Sequence, residues 1–261
     1  MQSALDAFLS GSLLAFFLVF ARLGTAIMLM PGIGDTYVSP HIRLSFALGL
    51  SVVLFPMILP YVPSAIPALH GLVFLILVEM VTGLLIGSVA RIFMMALDTG
   101  GMIISMQSGL ANAQVLNPAL ATQGSLIGAF LMVTGVVVVF ATHMHHILIV
   151  GIMDSYKMFP IGGMPDAGSM AEVISKAVAN SFMIGIKLSM PFIVMTLLIY
   201  AGMGVMSRVM PQLQVFMVIL PLQILLSFIL LILVLTAVLY YWAEQYEAAI
   251  FFFFSNGASP I

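Results

Sequence analysis

The sequence predicts an all-α integral membrane protein, and three observations carry that reading. The 261 residues are 63% hydrophobic and 6% charged, with a mean hydropathy of +1.25, far from the roughly 25% charge of soluble domains. Apolar stretches fall at 7–30, 42–59, 71–97, 125–153, 178–206 and 213–242, each near or above the ~20 residues that cross a ~30 Å hydrocarbon core as a helix. Between Asp98 and Asp154 there is no Asp, Glu, Lys or Arg at all. About six apolar helical segments in one membrane-embedded domain, residues 1–261, are expected.

Breakers divide these segments. Pro56, Pro60, Pro63 and Pro67 end the second, because proline lacks an N–H and restrains the residue before it. Pro160 to Gly168 forms the main loop, and Ser169 with Glu172 reads as a capping box opening the next helix. From Met170 that helix can run through a Glu172/Lys176 pair to about Met206, roughly 55 Å at 1.5 Å per residue, bent at Pro191. The fourth segment is similarly overlong. Pro211 separates the last two segments and Pro221 kinks the last. Overlong, broken helices suggest a tilted or cone-like helical assembly more than upright spans.

Composition narrows the function. A net charge of −2 without a Lys/Arg cluster offers no surface for nucleic acid. The absence of cysteine excludes disulfides, iron–sulfur centres and thiol chemistry. The opening Met-Gln-Ser-Ala-Leu-Asp puts an acid where a signal peptide needs a basic region. No cofactor is expected.

Ionisable residues within apolar segments are costly, ~2.5–3.5 kcal/mol or more at a bilayer centre, unless they face protein or water. Arg22, Glu79, Arg91, Asp98 and Lys187 are so placed and are read as buried charges. Glu79, Gly83, Gly87 and Arg91 recur every four residues and form one stripe, in which Gly83 and Gly87 let another backbone come close. Asp98, one heptad beyond Arg91, roughly shares that face. Gly100-Gly101 and Gly202-Met-Gly204 lack a phosphate-loop pattern and read as packing or bending sites.

The segment from Gly109 to Ser125 is one that no lipid-facing helix would choose. Gly109, Leu110, Asn112, Gln114, Val115, Leu116, Asn117, Pro118, Leu120 and Gln123 make irregular, polar, proline-broken backbone between two apolar helices. Such backbone at membrane depth is tolerated only where protein or a water-filled cavity surrounds it, which points to a pore or a gate.

His143, His145 and His146 with Asp154 are the only candidate metal or enzyme cluster. On a continuous helix His145 and His146 point about 100° apart, and neither a His-Glu-x-x-His arrangement nor an adjacent general base is present. Helix-end capping at an interface is the expected role, with no metal and no catalysis.

Several ordered motifs resemble the FliR family, shared by flagellar and virulence type III secretion systems. They are Ala21 to Gly34, Ser39-Pro40-His-Ile-Arg43, Gly83-Leu-Leu-Ile-Gly87, Asp98-Thr-Gly-Gly101, Gln107-Ser-Gly109, Asn117-Pro118, His145-His146-Ile-Leu, Asp154-Ser155-Tyr and Pro160-Ile-Gly162. The resemblance covers most of the chain and is weakest after about residue 210. One departure stands out: His143-Met144 replaces an Asp/Asn-Gly pair common in the family. The resemblance implies kinked helical hairpins in a hetero-oligomeric export gate with FliP- and FliQ-like subunits, and with an FlhB-like subunit beside it. The place implied is the flagellar basal body in the bacterial inner membrane, contacting lipid and passing unfolded flagellar proteins. A mid-chain loop of that family helps plug the closed pore, and Gly109–Ser125 matches it in position and composition. The alternative, a secondary transporter or channel, also uses broken helices and buried charges, but it predicts matching halves, and the sequence shows no internal repeat.

Overall fold

A computed structural model describes residues 2–62, 69–110, 125–163, 166–209 and 215–256, and all its regular elements are helical. They are α1 (Gln2–Leu29), α2 (Pro40–Ile58) with a 3-10 turn at Leu59–Tyr61, α3 (Leu69–Gln107), α4 (Leu126–Ala141), α5 (Met144–Met158), α6 (Ala167–Val209) and α7 (Val215–Asn256). Five of these are long and apolar enough to cross a membrane, and α4 with α5 makes a sixth if read as one broken span. The protein is an all-α integral membrane protein.

Three helices exceed any upright span. α3, α6 and α7 have 39, 43 and 42 residues, roughly 58–65 Å each at 1.5 Å per residue, about twice the hydrocarbon thickness. Pro191 and Pro221 lie inside α6 and α7 without ending them. Pro56 likewise sits within α2. The stop comes two residues later, at the 3-10 turn holding Pro60; Pro63, Pro67 and Pro211 fall outside the described residues.

Two expectations at helix ends are corrected. The long sixth helix starts three residues before Met170, and its cap is Asp166: the carboxylate accepts the Ser169 N–H at 2.8 Å and the Ser169 hydroxyl at 3.1 Å. Those bonds hold the Asp166 carboxyl below the usual range. Ser169 is thus the N3 residue of the cap, not the cap itself, and Glu172 pairs with Lys176 at 2.9 Å instead. The fourth apolar stretch is not one helix but two, because His143 takes a left-handed backbone, φ 61°, which ends α4 and caps α5.

The chain divides into two compact units, one of residues 1–92, 143–177 and 248–261, the other of 93–142 and 178–247. In the first, α1 packs on α2 and runs parallel to the early part of α3, with α5 beside them. Val19, Ile58 and Tyr156 form a small core with Phe55, Met153 and Ile161 packed around it. In the second, the late part of α3 comes close to α4 at Gly101 and Gly128 and to α6 at Gly100 and Gly185, and Leu97, Ile104, Leu131, Leu188, Phe192 and Trp242 are buried. Trp242 donates its indole N–H to the Phe93 carbonyl at 3.1 Å, so the large ring is fixed at both its apolar and its polar end. Much of α2, α6 and α7 turns large apolar side chains outward, as surfaces against lipid or other protein require.

Candidate functional site

The glycine stripe of α3 lies against α1 and the turn that follows it. At its upper end Arg22 and Glu79 form a fully buried ion pair. Arg22 Nε donates to Glu79 Oε2 at 2.7 Å and Nη2 to Oε1 at 3.0 Å; Nη1 donates to Ser155 Oγ at 3.1 Å and Nη2 to the Phe159 carbonyl at 2.9 Å. The guanidinium carbon stands 3.9 Å from the centre of the Tyr156 ring. A planar five-donor group is therefore met by a bidentate carboxylate, two further acceptors and an aromatic face. That is how a charge tolerates this depth.

One and two turns on, the glycines let α1 approach. A Cβ at Gly83 would overlap the Arg22 carbonyl and Thr25 Oγ1, and one at Gly87 would stand 2.8 Å from both the Ala26 carbonyl oxygen and Leu29 Cβ. The stripe ends where Arg91 Nη1 meets Asp35 Oδ1 in an ion pair. Asp35 also accepts the Gly32 N–H at 2.8 Å and the Tyr37 hydroxyl at 2.9 Å. Burial alone raises the Asp35 carboxyl, but the Gly32 N–H, Arg91 and Tyr37 outweigh it and leave it below the usual range. The Tyr37 phenol is pushed up to about 12 by burial and by its bond to that carboxylate. Arg43, in turn, donates to the Val38 and Gly34 carbonyls, so the turn from 30 to 43 is held from both sides.

The stripe therefore faces a helix of its own chain, and two of the charges placed in apolar segments, Arg22 and Glu79, are each other's partners. Asp98 is half-buried, its carboxylate set where any side chain on Gly128 would strike it. Lys187 is exposed on the chain by itself. The inward edge of α6 runs through Ala177, Ser181, Ile184, Leu188, Phe192 and Thr196, and Lys187 lies off it, about 100° around from Leu188.

The segment from Gly109 to Ser125 is seen at its two ends. Of its residues Gly109 (φ 78°) and Leu110 are described, while Asn112, Gln114, Val115, Leu116, Asn117, Pro118, Leu120 and Gln123 lie outside the described residues. On the entering side the last carbonyl of α3, Gln107, accepts from Thr196 Oγ1 at 2.9 Å and from the Gln223 amide. Those donors come from α6 and α7, and a helix C-terminus leaves such carbonyls open. On the leaving side Ser125 caps α4: its Oγ accepts the Gly128 N–H at 3.0 Å, donates to the Gly101 carbonyl at 3.0 Å and lies 2.8 Å from Ser105 Oγ. Gly101 and Gly128 make this possible, since a Cβ at Gly101 would overlap the Gly128 backbone. Gly100 is equally close-packed, facing the Gly185 backbone. Gly202 and Gly204 are not: nothing stands within 4 Å of where their Cβ atoms would be.

Sequence reasoning missed Asp35, Thr25, Thr196, Gln223, Ser105 and the arginine's partners Ser155 and Phe159. Asp35 could have been found, as an acid beside a Pro-Gly turn with an intramembrane arginine needing a partner. Thr196 and Gln223 carry no local signal, because only the packing of distant helices brings them to Gln107.

Comparison with known proteins agrees with the resemblance. The chain matches the family described as bacterial export proteins, family 1, over residues 13–249. It is 40% identical to the flagellar biosynthetic protein FliR of Caulobacter vibrioides over 82% of this chain and 85% of that one. It is 31% identical to the protein of that name from Bacillus subtilis, over 83% and 84%. It is also 30% identical to Yop proteins translocation protein T of Yersinia pestis over 59% of each chain. The family match takes in both the α1–α3 stripe and the loop stems, and the chain belongs to the FliR family of bacterial export proteins, membrane-embedded components of the flagellar and type III export apparatus.

Proposed function

We propose that this chain is a structural and gating subunit of the flagellar type III export gate, with residues 109–125 forming part of the closed-pore plug. It assembles with FliP- and FliQ-like subunits, beside an FlhB-like one, in the inner-membrane part of the basal body, and unfolded flagellar proteins pass through the channel they form. The observation that carries the reading is the framing of the segment. Thr196 and Gln223 hold its entering stem at the Gln107 carbonyl, and Ser105, Gly101 and Gly128 hold its leaving stem at Ser125. A polar, proline-broken stretch between two fixed stems can be displaced by an inserted polypeptide without unfolding the helices that carry it. Asn112, Gln114, Asn117 and Gln123 supply hydrogen-bonding groups toward neighbouring backbone, and Val115, Leu116 and Leu120 supply apolar bulk that excludes water and ions.

Replacing Val115 and Leu116 together by Gly tests this. Co-purification in mild detergent should show the partners still bound, while the variant complex conducts small ions in a planar bilayer and slows the growth of cells expressing it. Unchanged conductance in an assembled variant would make the segment a mere connector. Purification of a long-lived lone monomer, with no partner retained by the tagged chain in its native host, would remove the assembly itself.

A further inference from the structure

We propose that His143, His145 and His146 form a binding site for one first-row divalent transition cation, Zn2+ foremost. On an unbroken helix His143 and His146 could share a face, but His145 would point away from both. His143, however, is not in a helix: its left-handed backbone at the N-cap of α5 folds its ring back over the first turn. The His143 and His146 rings lie parallel, 5.5 Å apart between centres, and the His145 and His146 rings are 4.2 Å apart. One ring nitrogen from each residue falls within 4.8 Å of the others. Metal–imidazole bonds of 2.0–2.1 Å in tetrahedral geometry bring such nitrogens to about 3.3–3.4 Å, so closure needs a rotation of side chains, two of which, His143 and His146, are exposed and able to turn.

The donor set selects the ion. Three imidazoles without a carboxylate or thiolate suit zinc, copper, nickel or cobalt and leave calcium and magnesium without their oxygen ligands. Three protein ligands also leave the fourth tetrahedral position to water. The positive end of the α5 dipole opposes a cation here, which places the site among modest binders. Bound metal would tie the N-cap residue to the second and third residues of α5 and so hold the left-handed break between α4 and α5.

The test uses the full chain carrying a histidine-free affinity tag, stripped with EDTA in detergent and titrated with Co2+. Expected are one Co2+ per chain, a visible ligand-field band that Zn2+ displaces, and a rise in thermal unfolding temperature with Zn2+ that follows site occupancy. His143→Asn, which tolerates the left-handed backbone, and His146→Gln should each weaken Co2+ binding by about tenfold or more, as loss of one ligand of three implies. His41→Asn and His70→Asn should leave it unchanged. Each variant is first shown to elute monodisperse like the parent; if one does not, the other decides. Binding that is equal in parent and in both site variants, or absent up to about 1 mM Co2+, far weaker than any three-imidazole site, would overturn the proposal.

Discussion

The Arg22 guanidinium on α1 holds the Glu79 carboxylate on α3 through two hydrogen bonds of 2.7 and 3.0 Å, and neither side chain reaches the surface. Removing one partner leaves the other charged and buried, at about 3–5 kcal/mol. Glu79→Ala should therefore lower the unfolding temperature of the purified chain more than any surface change, and Arg22→Leu should do the same. The double variant Arg22→Leu/Glu79→Leu should recover much of the loss, since the pair contributes less net stability than either half-pair costs. Additive losses in that cycle would mean the two residues do not depend on each other.

Gly83→Ala is expected to harm the chain out of proportion to one methyl group. The new Cβ would overlap the Arg22 carbonyl and Thr25 Oγ1, and backbone cannot move aside as a flexible side chain can. Separation of α1 from α3 should cost about 1–3 kcal/mol and disturb the ion pair beside it. Gly202→Ala is the control: its Cβ meets nothing within 4 Å, so the lone chain should gain about 0.5–1 kcal/mol from helix propensity. A Gly202→Ala chain that is stable alone but fails to co-purify with partners would place a subunit interface at that glycine.

What the sequence made legible follows from how local each signal was. Apolar length gave the helical segments apart from the break at His143, and the four-residue recurrence of Glu79, Gly83, Gly87 and Arg91 gave the face of α3 that takes a close neighbour. Periodicity says nothing about which helix arrives there, so α1 as the neighbour, and Asp35 as the partner of Arg91, came only with the fold. Lys187, read among the buried charges, is exposed on the chain by itself, because a position along an apolar stretch does not say which side of the helix it occupies. The break at His143 escaped hydropathy for a related reason: a single left-handed residue interrupts a helix without making its sequence less apolar. The departure from the family's Asp/Asn-Gly pair pointed to that turn, since Asn and Gly enter the left-handed region most readily.

Acid should loosen the turn between α1 and α2. Asp35 has its carboxyl held below the ordinary 3.8 against the effect of burial, by Gly32, Arg91 and Tyr37. A carboxyl depressed in the folded state stabilises fully above its unfolded value and loses that contribution as pH falls through the lower folded value. The parent should thus show no Asp35-dependent change from neutral pH down to about 4.5 and a loss below about 4. Asp35→Asn should lack this acid step and be slightly less stable at neutral pH, by about 1 kcal/mol or less for a partly exposed pair. Thermal unfolding of both proteins across that range measures the difference, and parallel curves would show that the Asp35–Arg91 pair does not couple to stability.

Ser125 carries the leaving stem of the proposed plug segment, and one atom does three things there. Its Oγ accepts the Gly128 N–H as the cap of α4 and donates to the Gly101 carbonyl, which leaves the Ser105 hydroxyl at 2.8 Å as donor to it. Ser125→Ala removes the cap, at about 0.5–2 kcal/mol, and strands the buried Ser105 hydroxyl without its acceptor. Ser125→Asn supplies another capping oxygen but is too long for the space between Gly101 and Gly128, so it should restore the helix start without restoring the contact with α3. Because α3, α6 and α7 stay joined at Gln107, assembly of the Ala variant should survive. With its leaving stem freed, the segment should obstruct the pore less well, and the assembled variant should conduct ions in a planar bilayer above the parent's level. If the Ala variant assembles and stays as tight as the parent, the serine is an ordinary helix cap and the gate is held closed elsewhere.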